Sequence, residues 1–193
     1  MKLLDAIEKR RAYRAFSEET LDRDTLTRLA QAAHTAPSTM NNQPWRMVTV
    51  TDPEILDALK ETLGGGNYWA KKAPAITAFI TNSAWSMNLG GREYAFFELG
   101  MAAMAYQVQA VGEGLYVHPM AGFNPSAAKK VLGIADEDVL EILMAVGRPG
   151  ESSHLSEKHL ESEQSARDRR PLEEVLAFDS WNEILRPVQA QKN

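Results

Sequence analysis

Apolar residues in the first third of the chain recur every three or four positions. Leu3, Leu4 and Ile7 predict a short helix closing on Lys9, Arg10 and Arg11, where cations suit the negative end of a helix dipole, and stopping before Phe16. Asp22 is placed to cap a second helix with Leu26, Leu29, Ala30 and Ala33 as its core stripe. Pro37 forbids its continuation, so residues 36–44 are a loop. Over residues 45–51 the pattern switches to alternation with β-branched side chains, which predicts a strand. Asp52 and Pro53 then open a third helix, with Ile55, Leu56, Leu59 and Leu63 on one face and Gly64, Gly65 and Gly66 at its end.

Residues 74–81, with Ile76, Phe79 and Ile80, predict a second strand, and residues 85–91 a loop containing two adjacent glycines. Residues 92–112 form a long helix so rich in small and apolar side chains that it must be covered on most sides. Gly114 suits the turn out of it. Asn124 and Pro125 start a short helix to Leu132 that Gly133 ends, and residues 139–146 predict the last core strand. Helix dominates over a modest sheet, so residues 1–150 are expected to form an α+β core. Residues 151–170 are polar and serine-rich without a core-facing stripe, yet Leu172, Val175, Leu176, Phe178 and Trp181 bring apolar residues back. That combination predicts that residues 151–193 extend the same domain over a partner subunit.

Composition narrows the function classes. The chain has 193 residues, 44% apolar and 24% charged, as expected of a globular protein with a sizeable core. It contains no cysteine, which removes disulfides, thiolate metal sites and a cysteine nucleophile, and fits a reducing, cytoplasmic setting. With 21 Lys+Arg against 26 Asp+Glu the net charge is −5, which argues against nucleic acid as a partner. No export signal or membrane span is expected, since the first ten residues are heavily charged and the apolar stretch over residues 94–111 is broken by Glu98, Gln107 and Gln109.

Four segments concentrate groups that could carry chemistry. Arg10, Arg11 and Arg14 put three guanidiniums at a helix-to-loop transition, either an anion site or a solvated basic patch. Residues 36–45 crowd hydroxyls and amides between Pro37 and Pro44, fitting the edge of a heteroaromatic ring and a polyol, or a well-capped connection. Residues 114–123 mix glycine and proline, which lets backbone approach a flat ligand. His118 lies within them, but no two histidines stand at a convincing metal spacing, so packing accounts better for it and no metal is expected. Residues 167–175 hold a second basic knot. Dinucleotide-fold, P-loop and serine-elbow motifs do not occur.

In this order the segments resemble the nitroreductase family of FMN-dependent oxidoreductases, whose members carry an Arg-Arg-Ser-x-Arg-like opening, an Ala-Pro-Ser-Ser-x-Asn-x-Gln-Pro-Trp loop, a Gly-Leu-Gly segment and a late Arg-x-Pro-Leu-like motif. Here they read as residues 10–14, 36–45, 114–123 and 169–172. The resemblance implies a nitroreductase-like α+β fold with a central mixed or antiparallel sheet flanked by helices, in an intertwined homodimer with FMN at the interface. It implies Arg10, Arg169 and Arg170 as phosphate ligands, with Arg11 and Ala12 beside them, and Arg14 at the ribityl or N1/C2=O edge. Pro37, Ser38, Thr39 and Asn41 would come from the other subunit. Pro119, Met120, Ala121 and Gly122 would run beside the isoalloxazine, with the Asn67 amide at the pyrimidine edge, and Met40, Tyr68 and Phe123 would wall the substrate slot. Ala12 stands where the family usually has serine, and Ala121 where some members have an acid. NAD(P)H would pass a hydride through FMN N5 to a small nitroaromatic or quinone by ping-pong, with no catalytic side chain. Dehalogenation, flavin fragmentation, ene reduction or non-catalytic flavin binding are the alternatives.

Overall fold

The computed structural model describes residues 2–187. The chain divides into two units, residues 1–163 and 164–193. In the first, the elements run α1 (Asp5–Lys9), α2 (Arg23–His34), β1 (Arg46–Val50), α3 (Pro53–Lys60), β2 (Ala75–Thr81), β3 (Asn88–Leu89), β4 (Arg92–Glu93), α4 (Tyr94–Gly112), β5 (Tyr116–Met120), α5 (Pro125–Leu132), β6 (Val139–Gly147) and α6 (Glu157–Gln164), the last ending at the boundary. Asp22, Asp52 and Asn124 cap α2, α3 and α5 through backbone N–H groups, and Gly133, with φ 67°, closes α5 in the left-handed conformation that favours glycine.

Strands β1, β2, β6 and β5 form, in that spatial order, a four-stranded sheet in which every pair is antiparallel. All seven residues of β2 are buried, and their alternation feeds two cores. Ala75 and Phe79 face α2 and α4 with Met144, Val146, Leu29 and Tyr106, whereas Ile76, Ala78 and Ile80 face α3 and α5 with Leu143, Ala145, Leu59 and Trp69. The register slips between Phe79 and Ile80, where Ile142 and then Leu140 are the partners. Glu141 is thereby left outside, and Leu140 lands on the same face as Leu143. The buried Tyr106 hydroxyl and the Thr49 hydroxyl each lie 2.9 Å from Thr77 Oγ1, and burial pushes the Tyr106 phenol up to about 12.

Three local features differ from the sequence-based expectation. The third helix ends at Lys60, short of Leu63, which instead bridges to Phe123. Residues 116–120 form an edge strand: His118 and Pro119 mask the β pattern, but Pro119 is tolerated because β5 has only β6 beside it. The loop at 85–91 contains half of a tight hairpin, β3 paired with β4, with Gly90 and Gly91 at positive φ in its turn. In the second unit, short turns at Leu172–Glu174 and Glu183–Leu185 leave Leu172, Phe178 and Trp181 exposed.

Candidate functional site

The basic segment 10–14 lies between β5, α4 and α6. The Tyr13 ring stacks on Tyr116 with centroids 4.2 Å apart. The Tyr13 carbonyl lies 3.1 Å from His118 Nδ1, and since a carbonyl only accepts, Nδ1 carries the proton. Burial, far more than the nearby Arg14 charge, pushes His118 down to about 4, so the ring is neutral and serves as a strut between the segment and the strand. The ring also packs against Trp69, ring centroids 4.3 Å apart. Arg10 Nη1 donates to Gln107 of α4 at 3.4 Å, and Arg11 Nη2 donates to the Ser162 carbonyl at 3.2 Å. The Arg14 backbone N–H donates to Glu163 Oε1 at 2.8 Å, and its guanidinium lies 3.6 Å from the same oxygen. Burial pushes the Glu163 carboxyl up and Arg14 opposes that without cancelling it.

Next to this segment, the loop after β5 docks on the turn after α3. The Gly122 carbonyl accepts the Gly64 N–H at 2.7 Å and the Asn67 side-chain amide at 2.8 Å, and the Thr62 carbonyl accepts the Asn124 N–H at 2.8 Å. A Cβ on Gly122 would sit 3.2 Å from Asn67 Nδ2, so glycine keeps that junction closed without displacement. Ala121 and Gly122 are exposed, whereas the Met120 side chain is buried in the core, which leaves only its backbone available to a ligand. Phe123 is half-buried against the α3–α5 core. The exposed Tyr68 stacks on His159 of α6 at 5.5 Å, and its hydroxyl accepts the Ser156 N–H at 2.7 Å.

The polar loop 36–45 is elsewhere, at the start of β1. Met40, Asn41 and Gln43 have φ of 51°, 59° and 49°, three left-handed residues without a glycine among them. Such a turn costs of order 1–3 kcal/mol per residue and persists only when over-determined. Here Ser38 Oγ accepts the Gln43 N–H, Arg46 donates to the Gln43 carbonyl, the Thr81 hydroxyl donates to the Pro44 carbonyl, and the Thr39 N–H donates to buried Glu98 of α4. Pro37, Met40 and Asn41 remain exposed, Ser38 and Thr39 half-buried.

The candidate residues thus fall into two groups within one chain. Arg10, Arg11, Ala12, Arg14, Asn67, Tyr68, Pro119, Ala121, Gly122 and Phe123 gather around β5, at one edge of the sheet, while Pro37, Ser38, Thr39, Met40 and Asn41 lie in the loop that leads into β1, the strand at the other edge, with Thr39 held by Glu98 of α4. Phe97, 65% exposed, and Met104 share an outward face of α4. Arg169 and Arg170 lie exposed in the second unit, where Arg170 pairs with Glu174. Sequence reasoning missed Gln107, Glu163 and Glu98. The signal for Glu98 was a lone carboxylate in an otherwise apolar helix face.

The family model described as "Nitroreductase family" matches residues 7–67 and 61–148. The chain is similar to a protein named NADH dehydrogenase from Thermus thermophilus, 26% identical over 88% of this chain and 92% of that one. It is also similar to an iodotyrosine deiodinase from Thermotoga neapolitana, 25% identical over 77% and 90% of the two chains. A crystal structure described as an oxidoreductase containing FMN superimposes with a TM-score of 0.82 at 27% identity, covering 94% of each chain. Among the described residues no helix is long and apolar enough to cross a membrane.

Proposed function

The chain belongs to the nitroreductase family, and from that premise we propose that it is an FMN-dependent oxidoreductase, passing a hydride from NAD(P)H through the flavin to a small acceptor such as a quinone or nitroaromatic. Bound FMN supplies a two-electron carrier that takes up and releases hydride, which lets one slot serve donor and acceptor in turn. The residues present fit that group. Arg10 and Arg14 offer fixed cations for phosphate and for negative charge at the ring's pyrimidine edge. Asn67, already locked by Gly122, places an amide beside the exposed backbone of residues 121–122. Arg169 and Arg170 are proposed as further phosphate ligands. Neutral, buried His118 positions the basic segment and moves no proton.

The observation that carries the reading is that the 37–41 loop leads into β1, the edge strand opposite the β5 strand around which Arg10, Arg14 and Asn67 gather. A two-fold pairing of identical chains brings the 37–41 loop of one protomer to the β5-side half-site of the other, making two equivalent sites. The apolar outward face of α4 gives that pairing something to bury, and since residues 156–163 pack on Arg11, Arg14 and Tyr68 of their own chain, it is the segment from residue 165 onward that is proposed to reach over the partner. Purified protein should be yellow and dimeric, and anaerobic NADPH or NADH should bleach it, with colour returning on addition of a quinone. A bound flavin that neither nucleotide bleaches would mark a binding protein instead. The similarity to an iodotyrosine deiodinase favours one second reading, reductive dehalogenation, and reoxidation of the bleached protein by halotyrosines but not by quinones would establish it.

A further inference from the structure

Glu98 lies in the second turn of α4 and is 1% exposed. A carboxylate so far from water keeps its charge only where charged hydrogen bonds replace hydration. Its Oε1 accepts the Thr39 N–H at 2.6 Å and its Oε2 accepts the Ser86 hydroxyl at 2.7 Å. Burial pushes the carboxyl up, but these donors outweigh it and hold Glu98 below the ordinary carboxylate range, ionised at neutral pH.

The two donors come from different segments. Thr39 opens the strained turn that contains Met40 and Asn41, and Ser86 leads into the β3–β4 hairpin. Arg46 of β1, which donates to the Gln43 carbonyl of the turn, adds a second link, its guanidinium 5.0 Å from the centroid of the Trp85 ring. Glutamine in place of Glu98 can keep both contacts in neutral form, its oxygen accepting the Thr39 N–H and its NH₂ donating to the Ser86 hydroxyl, but it loses the charge that makes each bond roughly twice as strong.

We propose that Glu98 is the positioning residue of the 37–41 loop: one buried carboxylate holds the Thr39 amide and the Ser86 hydroxyl together, fixing the left-handed turn in its flavin-contacting shape and coupling it to the hairpin. This rests on the reading of residues 37–41 as flavin contacts. The coupling makes Ser86, which meets the carboxylate rather than the turn, a remote determinant of flavin affinity.

The test uses full-length protein stripped of flavin, as wild type, Glu98→Gln, Ser86→Ala and the double variant. FMN is titrated by fluorescence quenching, and amide hydrogen exchange is followed without flavin. Glu98→Gln should weaken FMN binding about tenfold and speed exchange at residues 39–43 and 86–91 together. Ser86→Ala should do both to a smaller degree, and its effect should be smaller in the Glu98→Gln background than in wild type. Unchanged exchange at residues 39–43 in Ser86→Ala, or effects that add independently in the double variant, would overturn the coupling. A wild type that binds no FMN would overturn the proposed function instead, and the exchange measurement would still decide the role of Glu98.

Discussion

His118 ties the basic segment to the sheet, and its buried neutrality makes that tie sensitive to pH. The ordinary imidazole value is 6.5, and burial pushes the folded-state value down to about 4. Between those values the unfolded chain binds a proton at this ring that the folded chain refuses, so stability falls as pH drops from 6.5 and levels off below about 4. Each tenfold change in proton affinity is worth about 1.4 kcal/mol, so the whole span carries about 3 kcal/mol. His154 and His159 are pushed down by burial as well and add slopes of the same sign, so the contribution of His118 must be read as a difference. His118→Asn is the suitable variant, because an amide N–H can replace Nδ1–H as donor to the Tyr13 carbonyl while removing the titration. Urea denaturation at a series of pH values from 7 to 4 gives both curves. The stability advantage of wild type over variant should shrink by about 3 kcal/mol across that range. Parallel curves would refute the reasoning, since they would mean that the ring is protonated as readily in the folded state as in the unfolded.

The turn at residues 40–43 gives a second check. Met40 is 79% exposed at φ 51°, so Met40→Gly should raise the unfolding free energy from urea denaturation by roughly 1 kcal/mol, and Met40→Val should lower it by at least as much. Gly150→Ala would drive a Cβ into the backbone at Ser17 N and Phe16 C, an overlap that cannot rotate away, and should cost more than about 3 kcal/mol by the same assay. Arg14→Gln removes the cation beside Glu163 and should weaken FMN binding at least about tenfold by equilibrium titration, while Arg28→Gln, which breaks a distant pair with Glu113, should leave FMN affinity unchanged.

Much of this was legible in the sequence, for physical reasons that differ by element. Helices α2, α3 and α5 announce themselves through side-chain caps, joined in α3 and α5 by proline at the first turn, signals that act within four residues. Strand β2 was readable because β-branched and aromatic residues fill both faces. Strand β5 was not, because its Pro119 is permitted only by an edge position, which is a property of the assembled sheet. The same limit applies to the site. The segments that carry Arg10 and Asn41 could be singled out by composition, but the Glu163 carboxylate against Arg14 and the Glu98 carboxylate under Thr39 depend on contacts 149 and 59 residues apart in sequence.

The central claim is that each flavin is held by two chains, and complementation tests it most directly. A chain with Arg10→Ala and Arg14→Ala loses one half-site, and a chain with Asn41→Glu loses the other. At an FMN concentration where neither variant alone binds, unfolding and refolding an equal mixture should restore about a quarter of the wild-type sites, because half the dimers are mixed and each mixed dimer has one intact site. No recovery in mixtures shown to contain mixed dimers, or full wild-type binding by a monomer, would contradict the account.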